Sequence, residues 1–349
     1  VSGTDSPGLP RTAIVHHRTG IGDLIWHIPY IRAIAARSAG GQVSVIARPS
    51  CRAPDLLAGE RSVARVIVFD VGAHNRGGRM GRHLGLRGQL DFVRELRAQR
   101  FDRIYIFSGR VRYGILAWLA GIPQRAGFGF TALERVFLNC PPYIRPYCGE
   151  GNWVYPEATA FAVAHGFVSG PLVPRMAVPA ELAEKMAIDL QSLPRPRYAL
   201  AIGASEEYRN WGTPRFGALA DALTATGCGV LLVGGPAERE MAQDIIRRVP
   251  EARRAAVRAL TQPSVLATAA ALRACDFCIG NDTGALNMGV ANGLTGLGLF
   301  GVSPPLRHDP ALHAVTGSGM AAISVETVLA HLQALRAPGL DGVTSGASA

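Results

Sequence analysis

The 349-residue chain is almost without lysine. Lys185 is the single one, so the formal charge of +10 is carried by arginine. Planar guanidinium forks suit phosphates and carboxylates. Basic charge alone fits nucleic acid, an anionic membrane surface or an acidic small substrate equally well, and does not choose among them. A run of about 18 uncharged apolar residues is also missing, so a membrane-spanning helix is not expected. No Asp-x-Asp pair occurs, and a metal clamp on a diphosphate is therefore not expected; neither is any cofactor. The six cysteines lack a disulfide framework. Cys275 and Cys278 have redox or metal spacing, but no second pair or histidine cluster accompanies them, and they read as buried free thiols. Val1 to Pro10 is polar and reads as a flexible leader, not a signal peptide, and the cysteine usage makes the expected protein cytoplasmic.

What is present is a repeated alternation of strand and helix signals. In the first half "TAIVHH", "QVSVIAR", "VARVIVFD" and "DRIYIFSG" are separated by helical stretches such as "DLIWHIPYIRAIAAR" and "LDFVRELRAQ". In the second half "YALAIG", "GVLLVGG", "DFCIGND" and "GLGLFG" alternate in the same way. Such alternation predicts parallel strands with crossover helices. A soft prior of about 150 residues per domain makes the chain two domains. The expected layout is an α/β protein with two doubly wound sheets facing a cleft. Residues 1–172 form the first domain, 173–195 a linker, 196–318 the second domain, 319–336 a final helix and 337–349 a flexible tail.

Several strand ends carry chemistry. Gly20 and Gly22 follow the first strand, but Ile25 stands where a dinucleotide fold would put its third glycine, and the second strand ends in Arg48 instead of an acid. A nicotinamide site is thereby disfavoured. Asp23 sits where sheet turns to helix and is either a helix cap or a general base facing the cleft. Residues 71–89 set Arg76, Arg79, Arg82, His83 and Arg87 among glycines. That stretch is either a solvated basic loop or a grip on an acidic acceptor, and it lacks the interleaved aromatics of a nucleic-acid site. In the second half Ser205, Arg209 and Trp211 follow one strand, Glu238 begins a helix after another, and "GNDTGALN" empties a third strand into a helix that ends the run at Asn287. A helix N-terminus offers unpaired N–H groups and partial positive charge, so the guest expected there is an anion.

Taken in order, "IGDLIWHIPYIRAI", "FDRIYIF", "GIPQRAGF", "RNWGTPRFGALADAL", "VGGPAERE" and "GNDTGALNMGVANG…GLFGVSPP" resemble the bacterial lipopolysaccharide heptosyltransferase family, glycosyltransferase family 9, of two-domain GT-B fold. The resemblance implies an inverting transferase that moves a heptose from an ADP-sugar donor to an acidic glycolipid, the lipopolysaccharide inner core, with peripheral contact at the inner face of the cytoplasmic membrane. By position, it implies Asp23 as the base and Arg209 in place of a phosphate-binding lysine. It implies Glu238 as the reader of the nucleotide ribose, Asp282, Thr283 and Gly284 as the donor-binding turn, and Arg76, Arg79 and Arg82 as acceptor contacts. The family's histidine three residues beyond the glycine of Asp-Thr-Gly is here Asn287, which can donate a hydrogen bond but carries no charge. Two other readings stay open: a GT-B-shaped sugar-nucleotide epimerase, and a non-catalytic sugar-nucleotide-binding protein.

Overall fold

The protein was analysed as a computed structural model, which describes residues 8–72, 80–204, 206–261 and 264–336. The first half runs β1 (Thr12–His16), α1 (Ile21–Ala35), β2 (Val43–Ala47), α2 (Ala53–Leu56), β3 (Val63–Val68), α3 (Gly85–Ala98), β4 (Arg103–Phe107), α4 (Val111–Leu119), β5 (Gln124–Gly127), α5 (Ala132–Phe137), α6 (Val154–Ala164) and α7 (Ala180–Asp189). The second runs β6 (Arg197–Ala201), α8 (Thr213–Ala225), β7 (Gly229–Val233), α9 (Arg239–Arg248), β8 (Val257–Leu260), α10 (Val265–Leu272), β9 (Phe277–Asn281), α11 (Gly284–Ala291), β10 (Thr295–Phe300), β11 (Leu312–Thr316) and α12 (Val325–Arg336).

The two sheets are ordered β3-β2-β1-β4-β5 and β11-β10-β9-β6-β7-β8, with every pairing parallel. All residues of β1, β6 and β7 are buried, as expected of strands covered by helices on both faces. Strand order reverses between β1 and β4 and again between β6 and β9. Open α/β sheets bind ligands at the carboxyl ends of strands beside such a reversal. The residues that leave β1, β6, β7 and β9 are therefore the ones placed to meet a guest.

One core joins the halves. Ile14, Leu24, Ile28 and Phe161 belong to the same buried cluster as Ala199, Val233, Leu272 and Leu286, so the inner helices of both sheets share one apolar interior. Separate clusters fill the outer face of each sheet. Polar contacts reinforce the joint: Asp55 of α2 accepts the Val265 and Leu266 N–H groups at 2.6 and 3.4 Å and so caps α10, a helix of the other half. Asp309 pairs with Arg175, and Met176 N–H bonds the Ala291 carbonyl at 3.1 Å.

The structure adds three strands that the sequence did not announce, β5, β8 and β11. It also starts α3 at Gly85, so Arg87 lies on a helix, and it buries His83, whose Nδ1 accepts the Asp70 N–H at 3.0 Å. His83 is thus not part of a solvated basic loop. The final helix begins at Val325, not at 319. Cys275 and Cys278 are free and buried, and burial raises both thiols, Cys275 to about 12.

Beneath the carboxyl edge of the first sheet, His16 and His27 face each other with their Nδ1 atoms 2.9 Å apart, and His17 Nδ1 lies 2.8 Å from the Phe107 carbonyl. Burial, with neighbouring positive groups, pulls His16 well below 6.5, His17 to about 4 and His27 to about 3. A histidine that titrates lower when folded leaves the unfolded chain binding more protons, so stability is complete above about 6.5 and falls as pH drops below it. Each such group steepens that fall by at most about 1.4 kcal/mol per pH unit. Asp23, Asp282 and Glu157 are shifted upward and act in the opposite sense at lower pH. The expected outcome is a urea midpoint constant from pH 8 to 7 and clearly lower at pH 5.5; a midpoint unchanged at pH 5.5 would show that the buried imidazoles accept protons without penalty.

Candidate active site

A cavity of about 660 Å³ opens between the sheets, bounded by residues 19–23 after β1, Gly203 and Ala204 after β6, Gly234 to Glu238 after β7, and Asp282 to Ala285 after β9. Its floor is the meeting of two helix N-termini. A Cβ on Gly22 would stand 3.1 Å from Asn287 Nδ2, and one on Gly284 would stand 3.1 Å from the Ile21 Cβ, so a side chain at either glycine would crowd the contact of α1 with α11.

Asp23 occupies the third position of α1, and Gly20 is the capping residue. The alternative of Asp23 as the helix cap itself is therefore corrected: its carboxylate folds back over Gly20. Burial pushes the Asp23 pKa above 3.8, against the pull of Arg18, the Gly20 N–H and the Asn152 side chain, while Asp282 adds to the rise. Arg18 is held over the Trp153 ring at 4.9 Å and is drawn on by Asp23 and Glu157. Neither Arg18 nor Asn152 was legible as a site residue: Asn152 reaches Asp23 only through the fold, and Arg18, though five residues before Asp23, is held by Trp153 and drawn on by Glu157, both far along the chain.

On the opposite wall Thr283 caps α11 without a side-chain bond to the helix, and its buried Oγ1 has no hydrogen-bond partner. Gly284 and Ala285 line the cavity at that helix end, which leaves first-turn N–H groups for an anion. Asp282 is raised by burial and lowered in turn by Arg209, whose Nη1 is 3.3 Å from its Oδ2. Arg209 also approaches Glu206 at 3.4 Å. Glu238 caps α9 and accepts the Gly235 N–H through Oε2 at 2.7 Å, while Oε1 faces Gly203.

The asparagine in "GNDTG" has a structural task. Asn281, fully buried, accepts the Trp211 N–H at 3.0 Å and donates to the carbonyls of Ile202 and Gly203 at 3.1 and 3.0 Å. It fastens the segment bearing Arg209 to the end of β9. Asn287 lines the cavity but has its amide engaged: Nδ2 donates to the Thr283 carbonyl at 2.9 Å and Oδ1 accepts from Trp26 Nε1 at 3.0 Å. Trp26, three residues after Asp23 and so on the same face of α1, was missed in the sequence although its spacing was available.

The model of glycosyltransferase family 9 (heptosyltransferase) matches residues 89–328. The chain belongs to that family. A curated relative, lipopolysaccharide heptosyltransferase 2 of Escherichia coli (strain K12), is 24% identical over 315 residues, spanning 85% of this chain and 86% of the relative. The solved structure of E. coli ADP-heptose lps heptosyltransferase II has a TM-score of 0.74 at 19% identity and covers 93% of this chain and 98% of that one. A family 9 glycosyltransferase from Veillonella parvula also gives 0.74, at 18% identity over 96% and 98%. The shared architecture is the GT-B fold.

Within this family 9 member, Asp23, Arg209, Glu238, Asp282, Thr283, Gly284 and Asn287 all line the one cavity. Arg82 stands apart from it, highly exposed and 3.7 Å from Glu95 of α3. Arg76, Arg79 and Ser205 lie outside the described residues. Among the described residues no His, Cys, Asp and Glu cluster could hold a metal ion, and no helix is long and apolar enough to cross a membrane.

Asn281 offers a direct check on this construction. Asn281→Ala strands the Trp211 N–H and removes a donor from two carbonyls, and leaving a buried group unpaired costs about 1–3 kcal/mol. We expect a loss of roughly 2–4 kcal/mol in chemical denaturation. A loss below about 0.5 kcal/mol, the level of an ordinary surface change, would mean that the Arg209 segment is held by other contacts.

Proposed function

We propose that the protein is an inverting, metal-independent heptosyltransferase that moves a heptose from ADP-heptose to an acidic lipopolysaccharide inner-core acceptor at the cytoplasmic face of the inner membrane. The observation that carries this reading is the confrontation across one cavity of a half-buried carboxylate from one half, Asp23, and a helix N-terminus of the other half whose capping residue makes no side-chain bond to it, at Thr283 to Ala285. Displacement at an anomeric carbon needs these two groups. The acceptor hydroxyl oxygen attacks the anomeric carbon and its proton passes to the Asp23 carboxylate. The bond from that carbon to the phosphate oxygen breaks on the opposite side, and its electron pair leaves with the diphosphate. No protein nucleophile is required, and a single displacement inverts the centre.

The leaving diphosphate is received by the first turn of α11 and by Arg209, exchanging its Asp282 partner for phosphate oxygens. Glu238, with one oxygen committed to Gly235, offers the other to the ribose hydroxyls; Ser205 is a further donor contact in this proposal. Asn287 fixes the junction of the helices instead of supplying the imidazolium expected of a family histidine. Acidic groups of the acceptor meet Arg76, Arg79 and Arg82. They also meet Arg18, Arg48 and Arg110, which leave the adjacent strands β1, β2 and β4 within three residues of the register-matched His16, Ala47 and Phe107. Among the described residues no carboxylate lies within ion-pair distance of Arg48 or Arg110, so both are free to take an anion.

Asp23→Asn is expected to retain ADP-heptose binding and lose transfer by about 100- to 10,000-fold, the usual worth of a general base. Equal turnover in the two forms would leave Asp23 a helix-end acid. Because the base must be ionised, wild-type activity should fall on the acid side with an apparent pKa above the ordinary 3.8, and this limb should vanish in the residual activity of Asp23→Asn. Arg209→Ala should weaken donor binding by about 1.5–3 kcal/mol without unfolding the protein, as read by calorimetry. Unchanged donor affinity would take Arg209 out of the diphosphate site.

A further inference from the structure

A second cavity, of about 520 Å³, shares Trp26 and Asn152 with the first. Tyr147, Glu150 and Tyr155 of the first half form one side, and residues 304–308 of the second half form the other, with Gly151 set against Pro304. Its walls are aromatic: the rings of Trp26 and Tyr155 stand 5.0 and 5.9 Å from that of His308. Aromatic faces with a few fixed polar groups suit small polar ligands that also carry apolar C–H surfaces, and a pyranose ring is such a ligand.

The polar groups are arranged for hydroxyls. The single Trp26 Nε1–H is shared between Asn287 Oδ1 at 3.0 Å and His308 Nε2 at 3.1 Å, so Nε2 faces a donor and the neutral imidazole carries its proton on Nδ1. Burial keeps the ring neutral, with its pKa pulled to about 4 against the nearby Asp309. No acceptor for Nδ1 occurs among the described residues, which leaves a fixed donor for a guest. Glu150 and Arg307 line it with opposite charges, and the first turn of α6 that enters it has its Val154 N–H already bonded to Asn152 Oδ1 and a proline without N–H at position 156. The link between the cavities matters most. Asn152 lines both and bonds the Asp23 carboxylate, so a hydroxyl presented from the second cavity arrives at the base.

We propose that this second cavity is the acceptor-sugar subsite: it seats the neutral pyranose ring whose hydroxyl Asp23 deprotonates, and His308 Nδ1–H reads a neighbouring hydroxyl of that ring. The assignment rests on the transferase reading above. The first cavity holds the diphosphate and ribose contacts and has room for a nucleotide-sugar, so the donor leaves the second one vacant for the acceptor.

The test uses the full chain with ADP-heptose as donor and, as acceptor, lipopolysaccharide whose truncated inner core ends in one neutral heptose. His308→Ala removes the reading group. Because His308 also supports Trp26, the rim variant Glu150→Ala with Arg307→Ala is run beside it, since neither residue is hydrogen-bonded to Trp26. Both are expected to raise the acceptor KM by about tenfold, the worth of one directed hydrogen bond, and to leave the donor Kd from calorimetry unchanged. A weaker donor Kd with an unchanged acceptor KM would overturn the proposal by assigning the cavity to the donor sugar. So would variants in which neither constant moves. Calorimetric binding of the deacylated oligosaccharide, free of any turnover, separates this subsite from the transferase reading. If wild type binds it without ever transferring heptose, and both variants weaken that binding, the subsite stands while the transferase reading fails; equal binding by all three forms removes the subsite.

Discussion

The arrangement depends on one close contact, the approach of the α1 and α11 N-termini through Gly22 and Gly284. Each helix end carries roughly half a positive charge, and bringing two together is unfavourable unless negative charge lies near. Asp23 and Asp282 supply it, one on each helix entry, and their own proximity raises Asp23 further. The Trp26 indole, shared between Asn287 and His308, pins the junction from the side. The site is thus an electrostatic balance of two helix ends, Arg18 and Arg209 against two carboxylates.

The geometry at 287 is met by asparagine. A side chain there must bond the Thr283 carbonyl and the Trp26 indole while remaining almost fully buried against Gly22. Asparagine meets both demands with one amide. Positive charge on the donor side then comes from Arg209 and the helix end, whose strengths do not vary with pH in the neutral range.

Much of the site was legible because its chemistry is local. Asp-Thr-Gly before a helix and Glu238 after a glycine pair are capping signals that need no knowledge of the rest of the chain. The central strands were legible for a similar reason, since a strand buried on both faces is a continuous apolar run. The three unannounced strands, β5, β8 and β11, are all edge strands, and "QRAG" and "VRAL" are four-residue segments each carrying an arginine, too short to show an alternation. Arg18, Asn152 and His308 were hidden for a different reason. Each acquires its meaning from a partner far along the chain: Asn152 from Asp23, and His308 from Trp26, 282 residues away. No local pattern encodes such pairs.

The shared interior has a thermal consequence. Ile28 and Phe161 of one half and Leu272 and Leu286 of the other are parts of a single apolar body, and α10 borrows its cap from Asp55 across the joint. Melting either sheet alone would expose the apolar face of its neighbour and strip a helix of its first hydrogen bonds. The two halves therefore form one cooperative unit, and heating the ligand-free chain should give one calorimetric endotherm, where two lobes joined by a bare hinge would give two.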